Sequence, residues 1–229
     1  MEKYHLPHFE RWAPHYESSP LQSRYFRPVQ QVVLRHVRHH VRGPARLLDV
    51  GCGTGALLRR MRGLLPLTHL HGVDVAPGML RAARAIEGTA EDQQRSDAQP
   101  IRYALAAAED LPYPPATFDV VTSTVSFHHW HDQRRGIEEM SRVLKPGGRL
   151  VIADHFAYGW MRPFFAAVRK RHMMRTHGEV DAMLKGAGLV PASWEVAHSL
   201  WPFLTGRTGT RPALAHFFPL VSLTTAHRP

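Results

Sequence analysis

The sequence predicts an α/β protein organised around a mostly parallel sheet with helices on its faces. Three observations point there. Short apolar runs alternate with helical patterns from Arg46 to Asp154, the pattern of repeated βαβ units. The first run ends in a glycine-rich turn, Gly51-Cys52-Gly53-Thr54-Gly55, and a helical pattern opens at once. The chain has 229 residues, 44% hydrophobic and 21% charged, enough for one such domain with additions and ordinary for a globular protein.

Residues 1–23 hold many aromatics without a sustained period, which predicts an arm with short helical pieces. From Arg24 to about Val41, the residues Phe26, Val29, Val33, Val37 and Val41 recur at helical spacing, and Gly43-Pro44 stops the helix. Arg46 to Val50 is the first strand. Leu57, Leu58, Met61, Leu64 and Leu65 then mark one apolar helix face. His69 to Asp74 is the second strand, and Pro77 to Ile86 the second flanking helix. Residues 87–99 are polar and predict a surface loop.

Ile101 to Leu105 and Phe118 to Ser123 supply strands three and four. Gly136 to Leu144 is helical in pattern, ended by Lys145-Pro146-Gly147-Gly148, and Arg149 to Asp154 is the fifth strand. Residues 155–177 break the alternation and are rich in Phe, Met, Arg and His, which predicts an inserted helical cap. Val180 to Ala187 resumes a helix with Gly188 placed as its C-terminal cap. Val190 to His198 and Pro202 to Thr205 are two further strands; beyond Gly206 only Phe217 to Leu223 is apolar enough to dock. The expected organisation is a single domain: an N-terminal helical arm (1–43), a core (44–154), the inserted cap (155–177) and a C-terminal part of the sheet with a tail (178–229).

Lys and Arg number 29 against 19 Asp and Glu, a formal charge of +10 that raises nucleic acid, anionic surfaces and acidic substrates as partners. The excess gathers in Arg35 to Arg42 and Arg169 to Arg175. Cys52 is the single cysteine, so no internal disulfide is possible. Met1 to Glu10 lacks the apolar segment of a signal peptide, and no run of about 18 apolar residues predicts a membrane span. A cytoplasmic address is the expectation.

Leu47 to Gly55 reads LLDVGCGTG. Glycines let the backbone turn sharply and a ligand approach it closely, while a helix start presents unpaired N–H groups to a polar or anionic ligand. Asp74 closes the next strand, where an acid can accept hydrogen bonds from ribose hydroxyls. Gly51, Gly53 and Ala56 also satisfy the lenient form of the nicotinamide-dinucleotide fingerprint, so the turn alone leaves both readings open.

The blocks that follow carry more. LLDVGCGTG, GVDVAPGML at Gly72 to Leu80, AAAEDLPYPPATFDVV at Ala106 to Val121 and RVLKPGGRLVI at Arg142 to Ile152 together resemble class I S-adenosylmethionine-dependent methyltransferases, nearest the ubiquinone/menaquinone-biosynthesis type. The resemblance covers about residues 45–154. It implies a Rossmann-like seven-stranded sheet with six parallel strands and one antiparallel, and S-adenosyl-L-methionine as methyl donor. By the same resemblance Asp49, Gly51 and Gly53 surround the methionine portion, and Asp74 takes the ribose hydroxyls. Val75 and Met79 lie against the adenosine, Ala108 and Glu109 at the adenine edge, and Thr124 faces the cofactor. Ala107 departs from the polar residue many relatives carry, which puts a side-chain contact to adenine in doubt.

Methyl transfer from a sulfonium to an O, N or C of a small-molecule acceptor is an in-line displacement, and a general base serves only an acceptor that holds its proton. Ser126-Phe127-His128-His129-Trp130-His131 follows strand four, with His129 the first and His128 the second candidate base. Packing in the loop is the alternative for both. Tyr16, Trp12 and Phe26 are candidates to close over the site; Phe156, Trp160, Phe164 and Phe165 are candidates to line an acceptor pocket or to pack in the core. If they line it, the small-molecule acceptor is partly apolar. His36, His39 and His40 share a helix face, but no third ligand follows, and no metal is expected.

Two other functions remain open. An RNA methyltransferase suits the charge, yet Thr122-Ser123-Thr124-Val125-Ser126 stands where base-amino methyltransferases carry an Asn/Asp-Pro-Pro-aromatic segment. A non-catalytic cofactor-binding protein would keep the glycine turn and Asp74 all the same.

Overall fold

Val29, Val33, Leu34 and Val37 recur at helical spacing and are buried, which fixes the face by which α2 (Arg27–His40) lies on the sheet. The computed structural model describes residues 6–13, 16–65, 68–87, 99–156, 174–199 and 219–229. Ahead of α2 come α1 (Leu6–Trp12) and a π-helical turn, Gln22–Phe26, so the helix expected from Arg24 enters through a wider turn.

The core is then β1 (Ala45–Val50), α3 (Ala56–Leu64), β2 (Thr68–Asp74), α4 (Pro77–Glu87), β3 (Arg102–Leu105) and β4 (Phe118–Thr124). It continues with α5 (Gln133–Val143), β5 (Leu144–Asp154), α6 (His177–Gly186), β6 (Val190–Ser199) and β7 (Pro219–His227).

The seven strands run in the order β3-β2-β1-β4-β5-β7-β6. β1, β2, β3, β4 and β5 pair in parallel, and β7 runs antiparallel to both β5 and β6. The six-plus-one arrangement implied by the resemblance is the one observed. Successive side chains of a strand point to opposite faces, and β1 uses both: Leu47 joins the apolar cluster with Val33, Leu58 and Met61, while Leu48 joins the cluster with Ile137, Met140 and Leu184. Each such fully buried aliphatic side chain stabilises the fold by roughly 1.5–3 kcal/mol relative to exposure.

Three elements differ from expectation. α5 starts at Gln133, because the Asp132 carboxylate accepts the Arg135 N–H at 3.0 Å and caps the helix. The Lys145-Pro146-Gly147-Gly148 stretch lies inside β5 as an irregularity, with Gly147 at φ +75° and the pairing stepping from Phe118↔Leu144 to Val120↔Arg149. The last strand is Pro219–His227; the strand expected at 202–205 falls outside the described residues. Gly188, at φ +75°, follows α6 as predicted, and Thr176 and Glu179 close a capping box at its start. Most of the expected cap, residues 157–173, also lies outside the described residues, with Trp160, Phe164 and Phe165 among them.

The chain runs from β1 outward through β2 to β3, then returns to place β4 on the other side of β1. That reversal opens a crevice beyond the carboxyl ends of β1 and β4, where open α/β sheets bind ligands.

Candidate active site

A cavity of about 270 Å³ occupies this crevice. From the end of β1, Asp49, Gly51 and Gly53 line it. Gly51 and Gly53 take φ of +74° and +55°, a region that disfavours side chains. A Cβ on Gly51 would collide with Ser126 Oγ, whereas one on Gly53 would meet no atom within 4 Å, so Gly53 leaves open space for a ligand.

At the end of β2, Asp74 accepts from the Gly53 N–H (2.8 Å) through Oδ2 and from the Ala76 N–H (2.9 Å) through Oδ1. The carboxylate is thereby fixed, and with the Val75 N–H also bonded to it one of its four lone pairs is left for a further donor. Burial raises its pKa, and the backbone donors at Ala76 and Gly53 oppose that rise. Val75 and Met79 continue the wall, followed by Ala108, Glu109 and Thr124. Glu109 accepts from the Asp132 N–H through Oε1 (2.9 Å), while its Oε2 and Thr124 Oγ1 are buried without a hydrogen-bond partner. Buried polar atoms are nearly always paired, so both point to a ligand that supplies donors or acceptors.

Asp49 is 2% exposed and accepts from Thr122 Oγ1 at 2.7 Å. Burial pushes its carboxyl up to about 7, against the Thr122 hydrogen bond and with the Asp74 charge adding to the rise. A buried acid in that state gains most from a cationic neighbour.

The two candidate bases also line the cavity, in different settings. His129 packs edge-on to Phe9 of the arm, centroids 5.1 Å apart. His128 is held from behind: its Nδ1 lies 2.6 Å from Asp154 Oδ1, and its backbone N–H donates to Oδ2 at 3.3 Å. Asp154 ends β5 and is wholly buried. Burial alone would raise its pKa, but the charges and hydrogen bonds of His128 and His155 hold the carboxyl well below the usual range. An ionised carboxylate only accepts, so the His128 Nδ1 carries the proton and Nε2 is left for the cavity.

His155 donates its backbone N–H to Asp154 Oδ1 (2.6 Å), places Nδ1 3.4 Å from the same oxygen, and meets the Tyr25 hydroxyl through Nε2 at 2.7 Å. His128, Asp154 and His155 bring three donor atoms within 4.8 Å of one another. The hydrogen bonds among them already engage those atoms. His36, by contrast, meets Glu195 at 2.9 Å, and His39 and His40 pack edge-on, centroids 5.3 Å apart.

Trp12, Tyr16 and Phe26 close one wall, with Trp12–Tyr16 and Tyr16–Phe26 centroids 4.8 and 5.4 Å apart. The arm is clasped by acids: Glu10 accepts from the Gly78 N–H at 2.6 Å and from Arg81 at 2.8 Å, and Glu17 binds Thr54 and Arg59. Phe156 is in the core beside Phe127 and Trp194 and does not line the cavity. Between Thr124 and Ser126, Val125 holds φ +53°, a costly conformation for a β-branched residue and one that collects at functional sites.

Sequence reasoning missed Asp154, His155, Tyr25, Thr122 and the two clasping glutamates. Only Asp154 left a trace, as an acid closing a strand in the manner of Asp74.

Residues 48–152 match the family described as a methyltransferase domain. A demethylmenaquinone methyltransferase of Deinococcus radiodurans is 40% identical over 111 residues, 48% of this chain and 43% of the relative. A 27-O-demethylrifamycin SV methyltransferase of Amycolatopsis mediterranei is 35% identical over 164 residues, 68% of this chain and 57% of the relative. The chain thus spans about half the length of the curated relatives it matches. Among solved structures, a chain from the complex between the Haloferax volcanii Trm112 methyltransferase activator and a methyltransferase superposes with a TM-score of 0.73 at 24% identity, over 96% of this chain and 97% of that one. At that identity the likeness concerns the fold.

Proposed function

We propose that this chain, whose residues 48–152 match the methyltransferase-domain family, transfers a methyl group from S-adenosylmethionine to a hydroxyl of a small, partly apolar molecule. The observation that carries the reading is the cavity at the strand-order reversal, where a glycine turn, Asp49 and Asp74 meet two unpaired polar atoms on Glu109 and Thr124. That set suits an adenosine-bearing cation: carboxylates for ribose and positive charge, apolar Val75 and Met79 for the ring, and space at Gly53.

When bound, S-adenosylmethionine supplies a methyl group already activated for in-line displacement. The chain's residues then have three tasks. Asp74, pinned by backbone N–H groups, orients the sugar; Asp49, half ionised near neutral pH, gains charge where a cation sits. Phe9, Trp12, Phe26 and Trp130 keep water from the acceptor and favour apolar bodies. Aligning the reactants in this way can supply roughly 7–11 kcal/mol of the barrier reduction.

The third task is proton removal. We assign it to His128 ahead of His129, because Asp154 fixes the His128 tautomer and stabilises the imidazolium formed as Nε2 takes the acceptor's proton. A base of this kind serves a hydroxyl, which keeps its proton at neutral pH, better than an amine, and this is why an oxygen acceptor is favoured. No metal is included in the proposal.

Isothermal titration of S-adenosylhomocysteine tests the cofactor half. Wild-type protein is expected to bind one equivalent, and Gly53→Val to lose at least a hundredfold in affinity while keeping its circular dichroism. Equal affinity in the two proteins would remove the cavity from the account.

A further inference from the structure

We propose that His128 Nδ1, Asp154 Oδ1 and His155 Nδ1 form a site for a zinc-like divalent cation in the cavity wall, and that filling it withdraws His128 from use as a base. The binding half stands apart from the methyl-transfer reading given above; the loss of the base rests on it.

Three separate segments bring these groups together. Asp154 closes β5 and is wholly buried, and a buried charge is kept by a paired group or a metal. His128 comes from the turn after β4, and His155 follows β5 directly. Nδ1 of His128 lies 2.6 Å and Nδ1 of His155 3.4 Å from the same oxygen, Asp154 Oδ1, and all three ligand atoms lie within 4.8 Å of one another. The two rings stand at 88°, centroids 4.9 Å apart, so their in-plane lone pairs approach from different directions. A tetrahedral zinc with bonds of about 2.0–2.1 Å holds its ligand atoms roughly 3.3 Å apart. The His155 nitrogen already has that spacing from Oδ1, and the His128 nitrogen reaches it by drawing back about 0.7 Å.

Both imidazoles line the cavity, with Asp154 behind them. Three protein ligands and one position toward open space is the pattern of an open zinc site. Two nitrogens and one carboxylate oxygen suit zinc-like ions, whereas magnesium and calcium take oxygen ligands. An outer partner is also in place. The Tyr25 hydroxyl lies 2.7 Å from His155 Nε2, with the two rings parallel within 13°. Metal-bound histidines commonly hand their far nitrogen to such a partner, which fixes the ring. Burial raises the phenol's pKa, with the Asp154 charge adding to the rise, so the hydroxyl keeps its proton and either donates to Nε2 or accepts from it.

Without the cation, both Nδ1–H groups face Asp154. A cation on the two Nδ1 lone pairs moves each ring's proton to Nε2, and no proton leaves the protein. His155 Nε2–H then donates to the Tyr25 hydroxyl. His128 Nε2–H faces the cavity and has no lone pair left for an acceptor's proton.

The test is NMR of the imidazole nitrogens in the untagged full chain, with calorimetry alongside, as Zn²⁺ or Mg²⁺ is added. One equivalent of Zn²⁺ is expected to move the Nδ1 signals of His128 and His155 together and to give His128 Nε2 the shift of a protonated nitrogen; Mg²⁺ should do neither. Tyr25→Phe should weaken Zn²⁺ binding about tenfold, the scale of a lost outer partner, and His155→Gln, which lacks a ligand, by more.

Nδ1 signals in wild type that Zn²⁺ leaves in place overturn the inference whether or not the variants fold. So does undiminished Zn²⁺ affinity in a His155→Gln protein that still binds S-adenosylhomocysteine, because the ion then sits elsewhere. The methyl-transfer reading survives both results. Wild type that takes Zn²⁺ at this pair but fails to bind S-adenosylhomocysteine upholds the site and defeats the functional reading instead.

Discussion

Asp49 titrates near neutrality because it is buried and lies within range of the Asp74 charge. A cation bound beside it favours the ionised form, so protonation competes with S-adenosylmethionine. Affinity is then present above about pH 7 and falls as pH drops below it. Titrations at pH 8 and pH 6 should differ about tenfold in Kd, the weaker at pH 6, if Asp49 is fully ionised in the complex. Asp49→Asn should bind more weakly and flatten the dependence; an equally steep profile in that variant would assign it to another group. The nine positions expected for the cofactor all line the cavity; Asp49, Gly51, Gly53 and Asp74 were legible because they sit at strand ends marked by a glycine turn or an acid, a local signal, and the other five came only through the resemblance. The partner of His128 was not, since Asp154 lies 26 residues away and meets it only through the pairing of β4 with β5.

At the scale of elements, the arm belongs to the site. α1 rests on α4 through Glu10, and the segment after it reaches the glycine turn through Glu17. Glu10 also reaches Arg81, which is 69% exposed, so that ion pair contributes little, about 0–1 kcal/mol. The carboxylate bond to the Gly78 N–H contributes more, about 1.5–3 kcal/mol. The double variant Glu10→Ala/Glu17→Ala should therefore release S-adenosylhomocysteine several-fold faster in displacement experiments, with melting temperature changed by only a few degrees. An unchanged release rate would mean that the arm does not gate the cavity. Most elements were legible from periodicity. β7 was not, because its Val221 to Ala226 is buried throughout, so neither alternation nor a turn signal marks a strand covered on both faces. The start of α5 was hidden by a capping aspartate inside a histidine-rich loop.

At the scale of the whole molecule, the charge of +10 reads differently once the fold is known. Arg35 meets Glu195 between α2 and β6, Arg59 meets Glu17 between core and arm, Arg62 meets Glu87 between α3 and α4, and Arg142 meets Glu139 within α5, so these arginines tie elements to acids and the net excess is carried by other basic residues. Among the described residues no helix is long and apolar enough to cross a membrane. The sheet order, with its reversal between β1 and β4, accounts for where the cavity lies, and the glycine turn leaves open space beside it at Gly53.

The central claim, that this crevice holds S-adenosylmethionine, is tested most directly by a crystal structure grown with saturating S-adenosylhomocysteine. The account predicts density in the crevice with ribose hydroxyls on Asp74, the adenine between Met79 and Ala108, and the homocysteine end beside Asp49 and Gly53. A crevice without the nucleoside, or a nucleoside bound elsewhere on the chain, would contradict it.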